Sequence, residues 1–230
     1  MQLRRVQRSS RPVVLELGQV RSLALAVVLA LCAACASKPP ETDASPVPMR
    51  TLERMAGQEI VVFPVQYLAS RDTLGWQQSI PNRAAYLAAL DDQIEAALSA
   101  RGLDKAWTFG REMERASKMN SILMTDARSL SAEWLRGRVL PETTVRDPLA
   151  GQVRGLVGLK GSRYALLPVE LRFENRPGGT GVAILRLVMI DSRMALIRWV
   201  GEVESDPART LTPALTASVA THFADLIVAP

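Results

Sequence analysis

Histidine and cysteine are almost missing from this chain: 230 residues contain one His, His222, and two Cys, Cys32 and Cys35. No cysteine follows Cys35, so no disulfide can form within the downstream sequence, and its stability must come from packing. A zinc site of the His/Cys type lacks ligands. A Ser-His-Asp triad would have to use His222, and no G-x-S-x-G elbow accompanies it. Phosphate-binding glycine patterns are missing too. "GLVGLKG" and "PGGTG" carry neither the G-x-x-x-x-G-K-[ST] spacing nor a strand–G-x-G-x-x-G–helix context. Gly155 and Gly158 instead read as sites of close helix–sheet packing, and "PGGTG" reads as a hairpin loop. Neither a nucleotide nor any other cofactor is expected. Long apolar runs are also lacking. The longest uncharged one, residues 23–34, has 12 residues and as a helix spans about 18 Å, against about 30 Å of bilayer hydrocarbon.

That short run is instead the length of a signal-peptide core. Arg21 supplies the positive flank, Ala33 and Ala34 precede Cys35, and a polar, proline-rich stretch follows. The arrangement resembles the bacterial lipoprotein signal, in which a small residue precedes the cysteine that is acylated and becomes the new N-terminus. Cys35 fits that role; Cys32, preceded by the bulky Leu31, fits less well. The resemblance implies several acyl chains on Cys35, palmitate among them, which suffices for stable anchoring where a single chain does not. Ala36 follows where Asp often retains such proteins in the inner membrane, so the outer membrane, periplasmic side, is the expected address. The 19 residues before Val20 are long for the region preceding a signal core, and translation is expected to begin at Val20. The expected organisation is a signal peptide at 1–34, the acylated Cys35 with a Pro-rich tether at 35–57, and one periplasmic domain at 58–230.

Processing removes most of the positive charge. The whole chain carries +5, but residues 1–34 hold five Arg and one Glu, leaving 23 cations against 22 anions, net +1. No dense Lys/Arg run survives, so a nucleic-acid partner is not expected. "ASKPPETDASPVPM" contains Pro39, Pro40, Pro46 and Pro48 without hydrophobic periodicity, the composition of an extended spacer.

Downstream, residues 60–68, "IVVFPVQYL", form a β-prone run in which Pro64 implies an irregularity or an edge. "AAYLAALDDQIEAALSARGL" sets Leu87, Leu90, Ile94, Ala97 and Leu98 on one helical face, with Gly102 closing the helix. A short strand, "KAWTF", follows, then helix over 111–136 in one or two pieces. "RVLPETTVR" reads as a loop. Asp147-Pro148 opens the next helix as N-cap and first-turn proline, running to about Leu159. In "YALLPVELRFE", Ala165, Leu167, Val169, Leu171 and Phe173 alternate with increasingly polar residues, as one buried face requires. "VAILRLVMI" is apolar on nearly both faces, as a covered central strand is. After a turn at 191–195, "LIRWVGEVE" turns Ile197, Trp199 and Val203 inward. A last helix, 213–228, carries Leu215, Val219, Phe223 and Leu226. The order β-α-β-α-α-α-β-β-β-α describes a single α/β domain: a mixed sheet of about five strands, ending in an antiparallel meander, with packed helices.

Together "IVVFPV", "LSARGL", "YALLPVELRF" and "LRLVMIDSRMALIRW" resemble the curli-secretion and penicillin-binding-protein-activator lipoproteins, and the N-terminal domain of the Tol-system propeller protein. The spacing from Asp191 to Trp199 matches that group's "D…G…W" hairpin, with Ala195 where glycine is usual. The resemblance covers residues 59–228, and its motifs are structural, so it implies the fold more than the activity.

Catalytic candidates are weak. His222 beside Phe223 reads as a core-edge residue. Asp91-Asp92 and Glu112/Glu114 read as solvated helix faces, and Glu202 with Glu204 as an exposed strand end. Trp76 in the 70–83 loop and Trp134 near a helix end are the candidate partner-binding residues, because aromatics are frequent interface anchors. The expectation is a non-enzymatic lipoprotein, held in the membrane through Cys35, that binds or helps assemble an envelope protein complex. A secretion-channel subunit is one alternative, but the loops at 70–83 and 137–147 are short and polar for membrane-spanning hairpins. An envelope hydrolase using carboxylates is the other.

Overall fold

The computed structural model describes residues 52–228; Cys35, the signal segment and most of the expected tether lie outside the described residues. Six strands form one sheet: β1 (Ile60–Val62), β2 (Tyr67–Asp72), β3 (Trp107–Thr108), β4 (Tyr164–Arg176), β5 (Thr180–Asp191) and β6 (Leu196–Glu204). Four α-helices accompany them: α1 (Arg83–Ala100), α2 (Gly110–Met119), α3 (Leu149–Gly158) and α4 (Pro213–Asp225). The sheet order is β3-β1-β4-β5-β6, with β2 continuing beside β4 where β1 leaves off. The mixed α/β class is the one expected and the order roughly fits, with a second strand before α1 and one α-helix fewer between β3 and β4.

The sixth strand arises at Pro64. Lacking an N–H, it interrupts the "IVVFPVQYL" run, yet the ladder to β4 resumes around it through Phe63 N to Leu166 O, 2.9 Å, and Gln66 N to Pro168 O, 3.0 Å. Two buried polar side chains satisfy the break. Asp91 of α1 accepts from Val65 N at 2.8 Å. Gln66 donates to the carbonyls of Pro64 and Ala127 and accepts from Leu130 N.

One face of the sheet is covered by α1 and α4, which bury Leu87, Leu90, Ile94 and Leu98, and Leu215, Val219 and Phe223. Asn82 caps α1 by accepting from Ala85 N, and Gly102 beyond its end takes φ +77°. The opposite face is covered by Met113 of α2, by Leu149, Val153, Leu156 and Val157 of α3, and by irregular chain through Ala127, Leu130, Leu135 and Val145. Gln152 accepts from Ser131 N and ties this chain to α3. Gly155 meets not the sheet but Met124 Sδ, 3.1 Å from where its Cβ would stand, and Gly158 faces open space.

Four local expectations are corrected. The alternation in β4 does not hold to one face: Ala165, Leu167 and Val169 pack on the α2/α3 side, whereas Leu171 and Phe173 pack on the α1/α4 side. The pairing with β5 slips between Pro168 and Glu170, and one extra residue exchanges the two faces. β6 repeats the device between Ile197 and Trp199, which sends Ile197 to the face opposite Trp199 and Val203. The expected helix over 111–136 stops at Met119. Asn120 Nδ2 bonds back to Ala116 O, Ser117 Oγ accepts from Ala127 N, and Asp126 accepts from Arg128 N, so side chains replace the helical ladder. Only a 3₁₀ turn, Glu133–Arg136, follows. At α3 the N-cap residue is Pro148 itself, while Asp147 Oδ1 accepts from Gly151 N.

The folded part also takes in residues assigned above to the tether, since Leu52 is buried and Met55 and Ala56 pack against the same core. β1, β3 and β4 begin side by side at Ile60, Trp107 and Tyr164, and the β5–β6 turn lies beside them. This near end is where the chain enters β1. The far end holds β2 and the β4–β5 hairpin, about 40 Å away along the 13 residues of β4.

Candidate functional site

Beyond the slip at Pro168, the α2/α3 face of the sheet changes character from apolar to charged. β4 turns Glu170, Arg172 and Glu174 to this side, and β5 and β6 add Arg186 and Glu202. Each guanidinium finds carboxylates. Arg136, from the 3₁₀ turn, binds Glu170 at 2.5 Å. Arg172 grips Glu202 through two bonds of 3.0 and 2.7 Å and reaches Glu174 at 2.7 Å. Arg186 binds Glu202 at 3.0 Å and donates to the carbonyls of Leu135 and Gly137. Arg176 bridges Glu174 and Glu204 at the hairpin end. Paired, two-pronged contacts of this kind hold the side chains in fixed positions.

The pairing sets the protonation states. Hydrogen bonds from Arg172, opposed by burial, hold the Glu202 carboxyl below its usual range, and Arg186 adds to this. Glu174 is lowered in the same way by Arg172 and Arg176. Both stay ionised at neutral pH, so neither is poised as a general acid. Tyr67, under the Arg136 guanidinium at 5.4 Å, is pushed up to about 12 by burial first and then by Glu133, and it keeps its proton.

A cleft of about 510 Å³ opens beside this ladder. Arg136, Glu170, Arg172 and Glu174 form one wall; Ser70, Arg71 and Thr73, at the end of β2, form the other. β2 pairs only with β4 among the described strands, and Gln77 Nε2 donates to its Ala69 carbonyl. The arrangement offers fixed charges of both signs, exposed hydroxyls and a strand edge. These are features that hold a polypeptide segment.

The two tryptophans part company. Trp76 is 7% exposed, sits in the α1/α4 core and meets the edge of Phe173 at 5.5 Å. Its ring lies under Gly181, where an added Cβ would come within 2.9 Å of it. As a partner-binding residue it is therefore corrected: the hairpin roofs it over. Trp134 is half-buried on the 3₁₀ turn that also supplies Arg136, and Arg146 lies 5.5 Å over its ring. It remains a candidate flank of the cleft.

His222 lies at the edge of the core and is half-exposed, donating through Nδ1 to the Glu204 carbonyl at 2.7 Å. Asp92 pairs with Arg111 at the surface, as a solvated face suggests. Asp91 differs: it is buried, binds Arg128 at 2.6 Å, and Arg128 in turn binds Glu114. Burial pushes the Asp91 carboxyl up to about 6, against the pull of Val65 N–H and Arg128. Glu202, read from sequence as an exposed strand end, is the centre of the ladder instead. Its signal was the opposite charge at Arg172 and Arg186, two strands and one strand away, which register alone reveals. Among the described residues no group of three or more His, Cys, Asp or Glu is placed to hold a metal, and no helix is long and apolar enough to cross a membrane.

No protein-family model matches this chain, and no curated protein matches it. Several solved structures do. The C-terminal domain of LpoB from Salmonella enterica is 12% identical, aligned over 68% of this chain and 94% of its own, with a TM-score of 0.34. The PelC L103M dodecamer from Paraburkholderia phytofirmans is 12% identical over 76% and 89%, TM-score 0.32. Lipoprotein GNA1162 from Neisseria meningitidis is 16% identical over 72% and 94%, TM-score 0.32.

Proposed function

We propose that this chain is a lipid-anchored protein of the bacterial outer membrane, acylated at Cys35, whose periplasmic domain binds an envelope protein and carries out no catalysis. The observation that supports it is the far-end cleft. Its carboxylates are neutralised by arginines rather than left as an acid–base pair, and β2, which pairs with one strand only among the described residues, and the Trp134 turn flank it. A tether that enters at the near end leaves the far-end cleft available to a partner fixed elsewhere in the envelope. The partner would contribute an extended segment carrying acidic and basic side chains, adding to β2 and meeting Arg71 at the rim.

The test uses the full chain in cells with a photocrosslinking residue at Ser70, which is exposed on the cleft wall. One envelope protein should be captured, and Arg71→Glu should reduce its yield about tenfold, the effect of about 1.4 kcal/mol. Cys35→Ala should release the protein from the outer-membrane fraction. Capture unaffected by Arg71→Glu removes the cleft from the reading. A mature chain that begins beyond Cys35 or bears no fatty acid removes the anchor.

A further inference from the structure

Large apolar side chains stand exposed in the turn after α2 and on the β5–β6 turn. Ile122 is 96% exposed, Leu123 81%, Met119 80% and Met194 60%. Single exposed apolar residues are ordinary, but a group of them beside one another marks a contact surface. They fall in two places, the turn after α2 and the β5–β6 turn, with α3 between. Met119 ends α2 and shares a hollow with Lys160, which lies just past α3. Ile122 and Leu123 occupy the turn that Met119 opens, where Leu123 N bonds to Asn120 O. Met194 sits on the β5–β6 turn, which Arg154 of α3 holds through the carbonyl of Ser192. Beside that turn, Arg193 lines a second hollow with Gly57, Gln58 and Glu59, the residues leading into β1. Met194 therefore stands at the end from which the chain runs back toward Cys35, and Met119 adjoins that end through Lys160.

Positive charge accompanies it. Arg115 and Lys160 line the hollow of Met119 together with Glu95 and Glu112, Arg163 and Arg193 line the hollow by the β5–β6 turn together with Glu59, and Lys118 precedes Met119. Lys160 and Arg163 are matched by Glu112 and Asp191. Arg115 and Arg193 form no ion pair among the described residues, and Lys118 reaches Glu114 only at 3.7 Å. Exposed Ile, Leu and Met with cations at their margin is the combination that lets a surface sit in the boundary between headgroups and acyl chains.

We infer that the near end docks on a bilayer surface bearing anionic headgroups, with the 119–123 turn and Met194 entering the headgroup layer and Arg115, Lys118 and Arg193 on phosphates. This rests on the lipid-anchor reading, because the anchor supplies the bilayer. Residues 36–51 connect the domain to Cys35, and 16 residues reach at most about 50 Å when extended. The tether therefore confines the domain to the neighbourhood of the surface without fixing which end faces it. Docking fixes the orientation: near end down, cleft outward.

The experiment uses the full chain on vesicles of phosphatidylethanolamine and phosphatidylglycerol, with p-benzoylphenylalanine replacing Ile122 or, separately, Ser70 at the far end. After flotation and irradiation, lipid adducts should form at 122 at least tenfold more than at 70. Leu123→Asp in the 122 probe should cut the yield at least fivefold, and vesicles of phosphatidylcholine alone should give less. A chain that floats but forms equal adducts at the two ends, or whose 122 probe captures a second copy of the chain instead of lipid, overturns the docking inference and leaves the anchor standing. A chain that does not float overturns both.

Discussion

Ala195 carries φ +50° on the turn between β5 and β6, in the left-handed region where a Cβ is unfavourable. The resembling lipoproteins place glycine there, and the backbone supplies the reason. Asp191 dictates the turn. Its Oδ1 accepts from the N–H groups of Arg193 and Met194, both at 3.1 Å, and its Oδ2 takes two bonds from Arg163. Burial alone would raise the Asp191 carboxyl, but Arg163 and the Met194 N–H hold it below its usual range. With the turn so determined, the residue at 195 must accept the left-handed conformation whatever its side chain. Ala195→Gly should therefore stabilise the domain by about 0.5–1 kcal/mol, the left-handed penalty less the greater freedom of glycine in the unfolded chain. Urea denaturation of the two full-length proteins measures this directly; an equal or lower midpoint for Ala195→Gly would show that the turn imposes no strain. The Asp191 turn was legible in the sequence because its determinants lie within five consecutive residues.

Elements were legible where periodicity ran uninterrupted and misread where a single residue shifted its phase. Leu87, Leu90, Ile94 and Leu98 face the core as their spacing requires, because nothing in α1 interrupts the period. In β4, by contrast, the slip at Pro168 is a property of two strands paired together, and period-two counting within one strand carries past it. The same holds for the cleft, whose charged wall exists only once β4, β5 and β6 are in register. The tryptophans illustrate the consequence. Trp76 looked like a loop residue, but Gly181 across the hairpin has no side chain and leaves room for its ring. Trp76→Ala should cost about 3–5 kcal/mol, as removing a buried aromatic does. Trp134→Ala should cost about 1–2 kcal/mol, since its ring is half-exposed. Thermal melts of both variants beside partner capture at Ser70 separate the roles. Near-equal losses of stability would place both rings in the core, and unchanged capture by Trp134→Ala would remove it from the interface.

At the scale of the molecule, the ion pairs respond to acid in two opposite ways. Asp191, Glu174 and Glu202 have folded-state values below their unfolded ones, so the stability they contribute is present above about pH 4 and is lost as pH falls through their lowered values. Asp91 works in the other direction. It is buried between α1 and the break at Pro64, and its carboxyl, raised from 3.8 to about 6, takes up a proton on folding anywhere between those values. Its contribution is therefore largest below about pH 4 and falls as pH rises through 6, by about 3 kcal/mol for two units. Asp91→Asn removes this titration while keeping an oxygen that accepts from Val65 N, and Arg128 retains Glu114 as its partner. The expected result is a difference in unfolding free energy, native minus Asp91→Asn, that declines between pH 4 and 7, whereas the loss below pH 4 is common to both proteins. Urea denaturation at pH 3, 4, 5, 6 and 7 resolves the two windows. Parallel curves from pH 4 to 7 would mean that Arg128 keeps Asp91 ionised throughout, and the joint at Pro64 would then be held by a permanent charge pair instead of a titrating one.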